Sequence, residues 1–543
     1  MLDKSSSSLV SGFCLGLLLL ATVQASSFTA EETPLADAAM KGDVGEVKLL
    51  LEKNVNVDQA QGDGMTALHW ATYLDDLNLA HRLLEAGANV SPKTRLGALT
   101  PLFMASKNGN SAMVELLLDA GADARARNKN GTTSLMMAAA SGNIETVQTL
   151  LSRGADVDTK DLTNGQTAIM FAAALGRAPA VKLLAKHGAD VNAVTKVSKI
   201  IKPEYRYQEK ETENRRRIRE GKRDESVMGG MTALHFAARE GHIDVVRELV
   251  LADTNVNLVN AADDMSVITM AIINGHLDLA MFLVTEHGAD PNLASKTGLT
   301  PLYATIDAQW AARTWYPAPS LSEEKTDYME LVKALAGAGA NVNARLTKKP
   351  WYRTFHGDWI KQEGATAFWR AAKSNDLTAM KFLIASGANP EIPTKIGGTP
   401  LQAATGFGLE PQTSNFVPGA RLSTVRYLVD ELGADVNAKD DQGYGPLHGA
   451  ALTADHEAIS YLVAAGADIT ARANMVFGGI GETDKDVDRS TGDTVADMAN
   501  GPKPHNLQYP ETVVFLEGLG SPNSDHCRAA TCVVRTLAEK GQQ

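Results

Sequence analysis

The sequence contains little cysteine. Only three cysteines occur among 543 residues, and Cys14 lies in an N-terminal apolar run, which leaves the close pair Cys527 and Cys532. Zinc would need more ligands than this pair and the neighbouring His526 supply, and the segment does not match the haem-attachment motif C-x-x-C-H. We therefore predict a disulfide between Cys527 and Cys532 in a C-terminal tail at 521–543, with a redox-active pair as the alternative.

An excess of basic charge is also absent. The formal net charge is −12, with 52 Lys and Arg against 64 Asp and Glu. A general nucleic-acid binder needs clustered basic side chains to displace counterions from phosphates. The composition therefore argues against a nucleic-acid partner.

Only one long apolar run occurs, at the N-terminus. It extends from Leu9 to Val23, follows Lys4, and ends in Val23-Gln24-Ala25, which suits cleavage by a signal peptidase. The run is shorter than the ~20 residues that a membrane-spanning helix needs. We predict a signal peptide at 1–25, export to the periplasm or the cell exterior, and no stable membrane insertion after cleavage. A retained anchor is the alternative.

Motifs that carry catalysis are missing. The chain has no G-x-S-x-G, no G-x-x-x-x-G-K-[ST] and no H-E-x-x-H. His69, His235 and His448 occupy one position of a recurring pattern, which indicates a structural role. The alternating Asp484, Asp486 and Asp488 lack the glycine and distal glutamate of a calcium loop. We predict no enzyme activity, no cofactor and no metal site.

The recurring pattern itself is the strongest signal. Gly64-Met65-Thr66-Ala67-Leu68-His69 opens a unit that ends near Gly87, and Gly230-Met231-Thr232-Ala233-Leu234-His235 repeats it. The leucine position recurs at intervals of 33 or 34 residues, with longer steps where segments are inserted. Its members are Leu35, Leu68, Leu102, Leu135, Ile169, Leu234, Ile268, Leu302, Phe368, Leu401, Leu447 and the degenerate Val495.

Each position of the pattern has a physical reason. Thr or Ser at the start caps a helix, and Pro fits the first helical turn. Apolar spacing indicates two short helices with buried faces, and glycine ends each of them. The units resemble ankyrin repeats from about residue 33 to about residue 520. The resemblance implies an all-α solenoid of about twelve helix–turn–helix units within residues 26–520, with projecting finger loops and a concave face that binds other proteins.

Departures from the usual spacing locate five insertions, near residues 198–229, 307–327, 346–363, 406–421 and 472–490. Long fingers thus follow units five, eight and eleven. Loops that break the pattern on a rigid scaffold often carry binding.

Two insertions contain unusual aromatic residues. Trp310, Trp315 and Tyr316 lie in one, and the other contains Trp351, Tyr352, Arg353, Phe355 and Trp359. We predict a partner-binding patch, because Trp, Tyr and Arg dominate interface hot spots. Packing of the two insertions into a satellite core is equally compatible with the pattern. Trp70 and Trp369 occupy repeat positions and are expected to pack.

The finger at 198–229 carries ten basic and seven acidic residues, including Arg215, Arg216 and Arg217. These arginines are candidates for docking on an acidic patch of a partner, and a solvated loop is the alternative. The sequence as a whole favours a monomeric, exported scaffold that binds another protein, with support of a periplasmic enzyme as one expected role. The alternatives are a ligand- or carbohydrate-binding or -processing protein that uses the aromatic insertions, and a secreted effector.

Overall fold

A computed structural model describes residues 33–200, 226–311, 321, 323–350, 361–408, 415–474, 492–500 and 509–524 of the chain. These residues form twelve consecutive helix pairs. The first helices are Pro34–Lys41, Ala67–Tyr73, Pro101–Asn108, Ser134–Ser141, Ala168–Ala174, Ala233–Glu240, Val267–Ile273, Pro301–Gln309, Ala367–Lys373, Pro400–Ala404, Pro446–Leu452 and Val495–Ala499. The second helices are Val44–Glu52, Leu77–Glu85, Ser111–Asp119, Ile144–Ser152, Ala178–Lys186, Ile243–Leu251, Leu277–His287, Tyr328–Gly337, Leu377–Ala385, Arg421–Arg426 with the π-helical turn Tyr427–Glu431, His456–Ala464 and Pro510–Gly518.

The helices are arranged in two layers. Each first helix contacts the first helix of the next unit throughout the array, and second helices contact one another in the same way through most of it. In units one to seven, two or three residues join the two helices of a unit, so the helices run antiparallel. Connections within units therefore lie along one edge of the solenoid, and fingers between units lie along the opposite edge.

Capping explains where the first helices begin. Thr66, Thr100, Thr133 and Thr232 each accept the backbone N–H of the third residue of the helix that follows. Such a cap stabilises a helix by about 1 kcal/mol. Thr300, Thr366, Thr399 and Thr494 cap later units in the same way, and Ser266 does so in unit seven, so a shared local preference starts most first helices at the same point of the repeat.

The core is formed by the repeated leucine position and by small residues around it. All twelve positions of the leucine series are at most 3 % exposed. Alanines that follow them, such as Ala71, Ala105 and Ala138, are fully buried and allow neighbouring helices to approach closely. The predicted period is thus confirmed by burial.

Successive fingers are joined by two sets of hydrogen bonds. Near the tips, a backbone N–H of one finger donates to a carbonyl of the preceding finger, as from Lys129 to Gly97 at 2.9 Å. At the finger bases, an Asp or Asn carboxyl or amide oxygen accepts a backbone N–H of the next unit, as Asn257 does from Asp290 at 2.8 Å. Gly64 permits one such close approach, since its φ is +87° and a Cβ there would lie 2.7 Å from the Arg95 nitrogen.

The exception to the all-helical fold is small. Strand β1, Ser198–Ile200, pairs antiparallel with strand β2, Ser226–Met228, at the base of the finger after unit five. Within the described ranges, no helix is long and apolar enough to span a membrane.

Candidate protein-binding surface

The first-helix layer presents a stripe of large apolar side chains. The residue four positions after the capping Thr or Ser is Trp70, Met104, Met137, Phe171, Phe236 and Met270 in units two to seven. The first four are partly exposed, whereas Phe236 and Met270 are each 7 % exposed. The first helices stack in register, so the four partly exposed side chains, Trp70, Met104, Met137 and Phe171, form one row. We call this row the apolar stripe.

Trp70 begins the stripe and is held in a fixed orientation. Its indole Nε1 donates to the Gln61 side chain at 2.8 Å, and Tyr73 packs edge-on at 5.8 Å between ring centroids. Tyr73 is itself 57 % exposed. Trp70 packs against the core, as predicted, and part of its ring also remains on the surface.

The face changes character at unit nine. Arg370 occupies the stripe position there and is only 6 % exposed. Its Nε donates to the Asp307 carboxylate at 2.6 Å, and its Nη2 donates to the Trp310 carbonyl at 2.7 Å. Lys373 and Ser374 on the same helix are also buried. The open part of the first-helix face thus lies in units two to five, and it is covered at unit nine.

Trp310 contributes to this covering. Its indole Nε1 donates to the Asp376 carboxylate at 2.8 Å, and the Tyr328 hydroxyl donates to the same oxygen at 2.8 Å. Burial and the nearby Asp376 charge raise the pKa of Tyr328 well above its usual value. The indole N–H of Trp310 is therefore already engaged within the protein, and the ring anchors the beginning of the unit-eight insertion.

The far end of that insertion is attached to unit seven. The Asp278 carboxylate accepts the Thr326 N–H at 2.8 Å and the Thr326 hydroxyl at 2.7 Å. These hydrogen bonds hold the pKa of Asp278 below its usual value, although desolvation opposes them. Glu324 accepts the Asp278 N–H at 2.8 Å. The two ends of the insertion are thus fixed to the units on either side.

A cleft lies at the same edge of the solenoid in units ten to twelve. It has a volume of about 310 Å³, and its lining includes Phe416, Arg421, Thr453, Asp455 and Tyr509. Arg421 Nη1 donates to the Thr453 hydroxyl and to the Asp455 carboxylate, both at 3.1 Å. The cleft therefore contains an internally neutralised ion pair between aromatic walls.

The three repeated histidines are buried. Nε2 of His69 lies 3.0 Å from the Leu99 carbonyl of the next unit, and Nε2 of His235 lies 3.3 Å from the Met265 carbonyl. Burial lowers the pKa of His235 to about 4 and that of His448 to about 3, and it also lowers the pKa of His69. All three are therefore neutral at physiological pH. His69 and His235 join neighbouring units, in agreement with the predicted structural role, whereas His448 accepts the local Gly445 N–H.

Comparison with known proteins establishes the family. The family model for ankyrin repeats, in three-copy form, matches residues 11–94, 102–195, 234–309, 322–440 and 368–473, which together exceed half of the chain. The chain belongs to the ankyrin-repeat family. Ankyrin repeats generally mediate interactions between proteins and typically form non-enzymatic scaffolds, and the described residues contain no cluster of His, Cys, Asp and Glu able to hold a metal.

Curated relatives with ankyrin repeats match parts of this chain. "Ankyrin repeat and SOCS box protein 11" of Danio rerio is 39 % identical over 101 residues, 19 % of this chain and 34 % of the relative. Human "SH3 and multiple ankyrin repeat domains protein 2" is 33 % identical over 188 residues, 34 % of this chain and 8 % of the relative. The matches thus span about a third or less of these relatives. The crystal structure of the human ASB11 ankyrin-repeat domain is 27 % identical, with a TM-score of 0.35, over 44 % of this chain and 92 % of that domain.

Most of the predicted contact residues lie outside the described ranges. These are Trp315, Tyr316, Trp351, Tyr352, Arg353, Phe355, Trp359, Arg215, Arg216 and Arg217. The same holds for Cys527 and Cys532 and for the predicted signal peptide. Their roles stay predictions.

The apolar stripe was not among the predicted sites. Its signal is present in the sequence, since the residue four positions after each capping Thr or Ser is large and apolar in six consecutive units. The aromatic insertions are conspicuous in the sequence because they interrupt the repeat, whereas the stripe residues recur with it and resemble ordinary repeat positions.

Proposed function

We propose that this chain is a non-catalytic scaffold that holds another protein against the first-helix face of units two to five. The observation that carries the proposal is the apolar stripe formed by Trp70, Met104, Met137 and Phe171. These side chains remain partly exposed, although Trp70, Met137 and Phe171 also pack against the core. Large apolar side chains in a contiguous row on a soluble surface are typical of interaction sites.

The composition of the stripe fits a protein ligand. Methionine adapts to irregular partner surfaces, and Trp and Phe provide large contact areas at low entropic cost. The row follows four helices of a rigid array, so little ordering of the scaffold is needed on binding.

The aromatic and basic insertions are proposed as a second contact region. The partner would reach the fingers after units five and eight, where Arg215–Arg217 and Trp351–Trp359 are located in the sequence. We further propose that the chain is exported through cleavage after Ala25 and acts as a monomer in the periplasm or outside the cell, where it serves an enzyme. N-terminal sequencing of protein recovered from that compartment tests the export proposal, with Ser26 as the expected first residue.

Site-specific variants test the binding surface. In the native compartment, Met104→Glu together with Met137→Glu is expected to abolish co-purification of the partner, because charge is placed in the centre of the stripe. Met281→Glu, at a partly buried position on the second-helix layer, is the matched control and should retain the partner. Unchanged recovery with the double variant, at unchanged helical content, would contradict the proposal. Trp351→Ala with Trp359→Ala tests the finger separately.

A further inference from the structure

The fingers of units two to five carry an exposed basic ridge on an otherwise acidic protein. In each of these fingers one residue donates its backbone N–H to a backbone carbonyl on the other arm of the hairpin. The side chain of that residue is buried or half-buried. These residues are Thr94, Asn128, Asp161 and Thr195, with N···O distances of 2.9–3.0 Å. The residues immediately before and after each of these are exposed, and we call them the outward positions.

The outward positions are predominantly basic. They are Lys93 and Arg95, Arg127 and Lys129, Lys160 and Leu162, and Val194 and Lys196, and all eight side chains are exposed. Leu96, next to Arg95, is 81 % exposed, and Leu162 is 66 % exposed. Six cations and several aliphatic side chains thus share one edge of four consecutive units. We call this set the fingertip ridge.

The six cations of the ridge are not neutralised by carboxylates within the described part of the chain. Arg95 Nη1 donates to the Gly62 carbonyl at 2.5 Å, and Lys160 Nζ donates to the Val194 carbonyl at 3.1 Å. Arg127 Nη2 lies 3.4 Å from the Thr159 hydroxyl. Among the described residues, the groups that these three cations contact are neutral oxygens, which orient the side chains without balancing their charge.

The aspartates that the structure describes in these fingers are engaged by backbone N–H groups. Asp161 is 7 % exposed, and its carboxylate accepts the backbone N–H groups of Thr163, Asn164 and Gln166 at 2.7–2.8 Å. Asp158 lies at the finger base, where its carboxylate accepts the Asp190 N–H at 2.8 Å. These carboxylates therefore serve the turns and do not balance the ridge.

The ridge has a defined length. The corresponding outward positions are Ala60 and Gly62 after unit one, and Val259 and Ala261 after unit six, so the charge ends at both sides. Three steps between neighbouring units at about 10 Å each give a ridge of roughly 30 Å. An extended polypeptide covers that distance with about nine residues.

We propose that the fingertip ridge binds an extended acidic segment of a polypeptide whose carboxylates alternate with apolar side chains. The cations fit the carboxylates, and Leu96, Leu162 and Val194 fit the apolar side chains between them. A long polyanion or an anionic bilayer extends beyond the ridge and meets a chain whose net charge is −12, whereas a short segment contacts the cations alone. The inference rests on the proposed protein-binding function and names the chemistry of the partner.

The test uses the full chain and a fluorescein-labelled peptide of roughly ten residues in which Glu and Leu alternate. Its binding is expected to weaken as salt is raised, because exposed charges are screened. The variant Arg95→Glu/Lys129→Glu/Lys196→Glu is expected to bind at least tenfold more weakly. The matched control Lys53→Glu/Lys186→Glu/Lys333→Glu changes the net charge equally at exposed sites on or next to second helices and should bind like the unaltered chain. Thermal unfolding of each variant shows that the fold is retained.

Several outcomes would overturn the inference. A peptide in which Lys replaces Glu should not bind, and equal binding of both peptides contradicts the charge argument. Equal loss in the ridge and control variants contradicts the location. Tighter, ridge-dependent binding of vesicles with about 30 % phosphatidylserine, or of single-stranded DNA of about 20 nucleotides, would assign the ridge to lipid or nucleic acid instead. If recovery of a partner requires the apolar stripe but the acidic peptide does not bind the chain, only the ridge proposal fails. If the peptide binds but no partner is captured, the proposed function fails.

Discussion

The buried ion pair of unit nine allows a prediction whose magnitude follows from its environment. The side chains of Arg370 and Asp307 are 7 % and 8 % exposed, and their Nε–Oδ1 distance is 2.6 Å. Replacing Arg370 by Met takes the guanidinium away from the buried Asp307 carboxylate and removes the donors to the Trp310 carbonyl and the Ser374 hydroxyl, which should cost about 3 kcal/mol. Replacing both residues, as Asp307→Leu/Arg370→Met, removes both charges and should cost far less.

Hydrogen exchange read by mass spectrometry is the suitable assay, because long repeat arrays do not unfold as two-state systems. Amides of 367–385 should exchange roughly a hundredfold faster in Arg370→Met, as about 3 kcal/mol of lost local stability implies. Amides of units two to four should be unaffected. If the single variant exchanges like the unaltered chain, or if the double variant is as destabilised as the single one, the reasoning about the buried ion pair is refuted.

Three further predictions concern other buried groups. Burial holds the pKa values of His235 and His448 at about 4 and about 3, below the unfolded value of 6.5, so their stabilisation is present above pH 6.5 and lost as pH falls. Hydrogen-exchange protection factors of amides in 233–240 and 446–452 should show a loss of about 2 kcal/mol per histidine at pH 5 relative to pH 7. His235→Gln should reduce the loss at 233–240, and His81→Gln, at an exposed site, should not. Asn375 is fully buried with φ of +54°, and neither polar atom of its side-chain amide has a hydrogen-bond partner among the described residues. Asn375→Gly should therefore stabilise unit nine by about 1 kcal/mol in the same assay. Unchanged or lower stability would contradict this. Asp376→Ala removes the acceptor shared by Trp310 and Tyr328 and also the cap of the helix at 377–385. Hydrogen exchange should therefore become faster at 323–335 as well as at 377–385. Faster exchange at 377–385 alone would show that the shared acceptor is not important.

Most of the fold could be predicted from the repeat, because each position of the pattern has a local cause. The threonine caps, the terminal glycines and the buried leucine series act within one unit or between neighbours, and they recur with the period. The covering of unit nine could not be predicted in this way. Arg370 occupies a surface position of the repeat, and it is buried because it contacts Asp307 near the end of the preceding first helix and Trp310, where the unit-eight insertion leaves the repeat pattern.

Among the candidate surfaces, those that follow the repeat could be found from the sequence, and those that depend on an insertion could not. The apolar stripe and the fingertip ridge obey the repeat, so both can be found once equivalent positions are compared across units. The contact partner of Trp310 could not be found from sequence, since Asp376 lies 66 positions away and is also an ordinary helix cap.

The insertion of unit ten has a mechanical consequence for the array. The Asn415 amide donates to the Ala311 carbonyl, and the Val417 N–H donates to the Ser374 carbonyl at 2.9 Å, so unit ten is tied to both units eight and nine. In a simple repeat protein each unit contacts only its neighbours, so the solenoid bends to a similar degree at every junction between units. A bond that skips a unit adds stiffness at one place, so bending and stepwise unravelling from either end should stop at this block of three units.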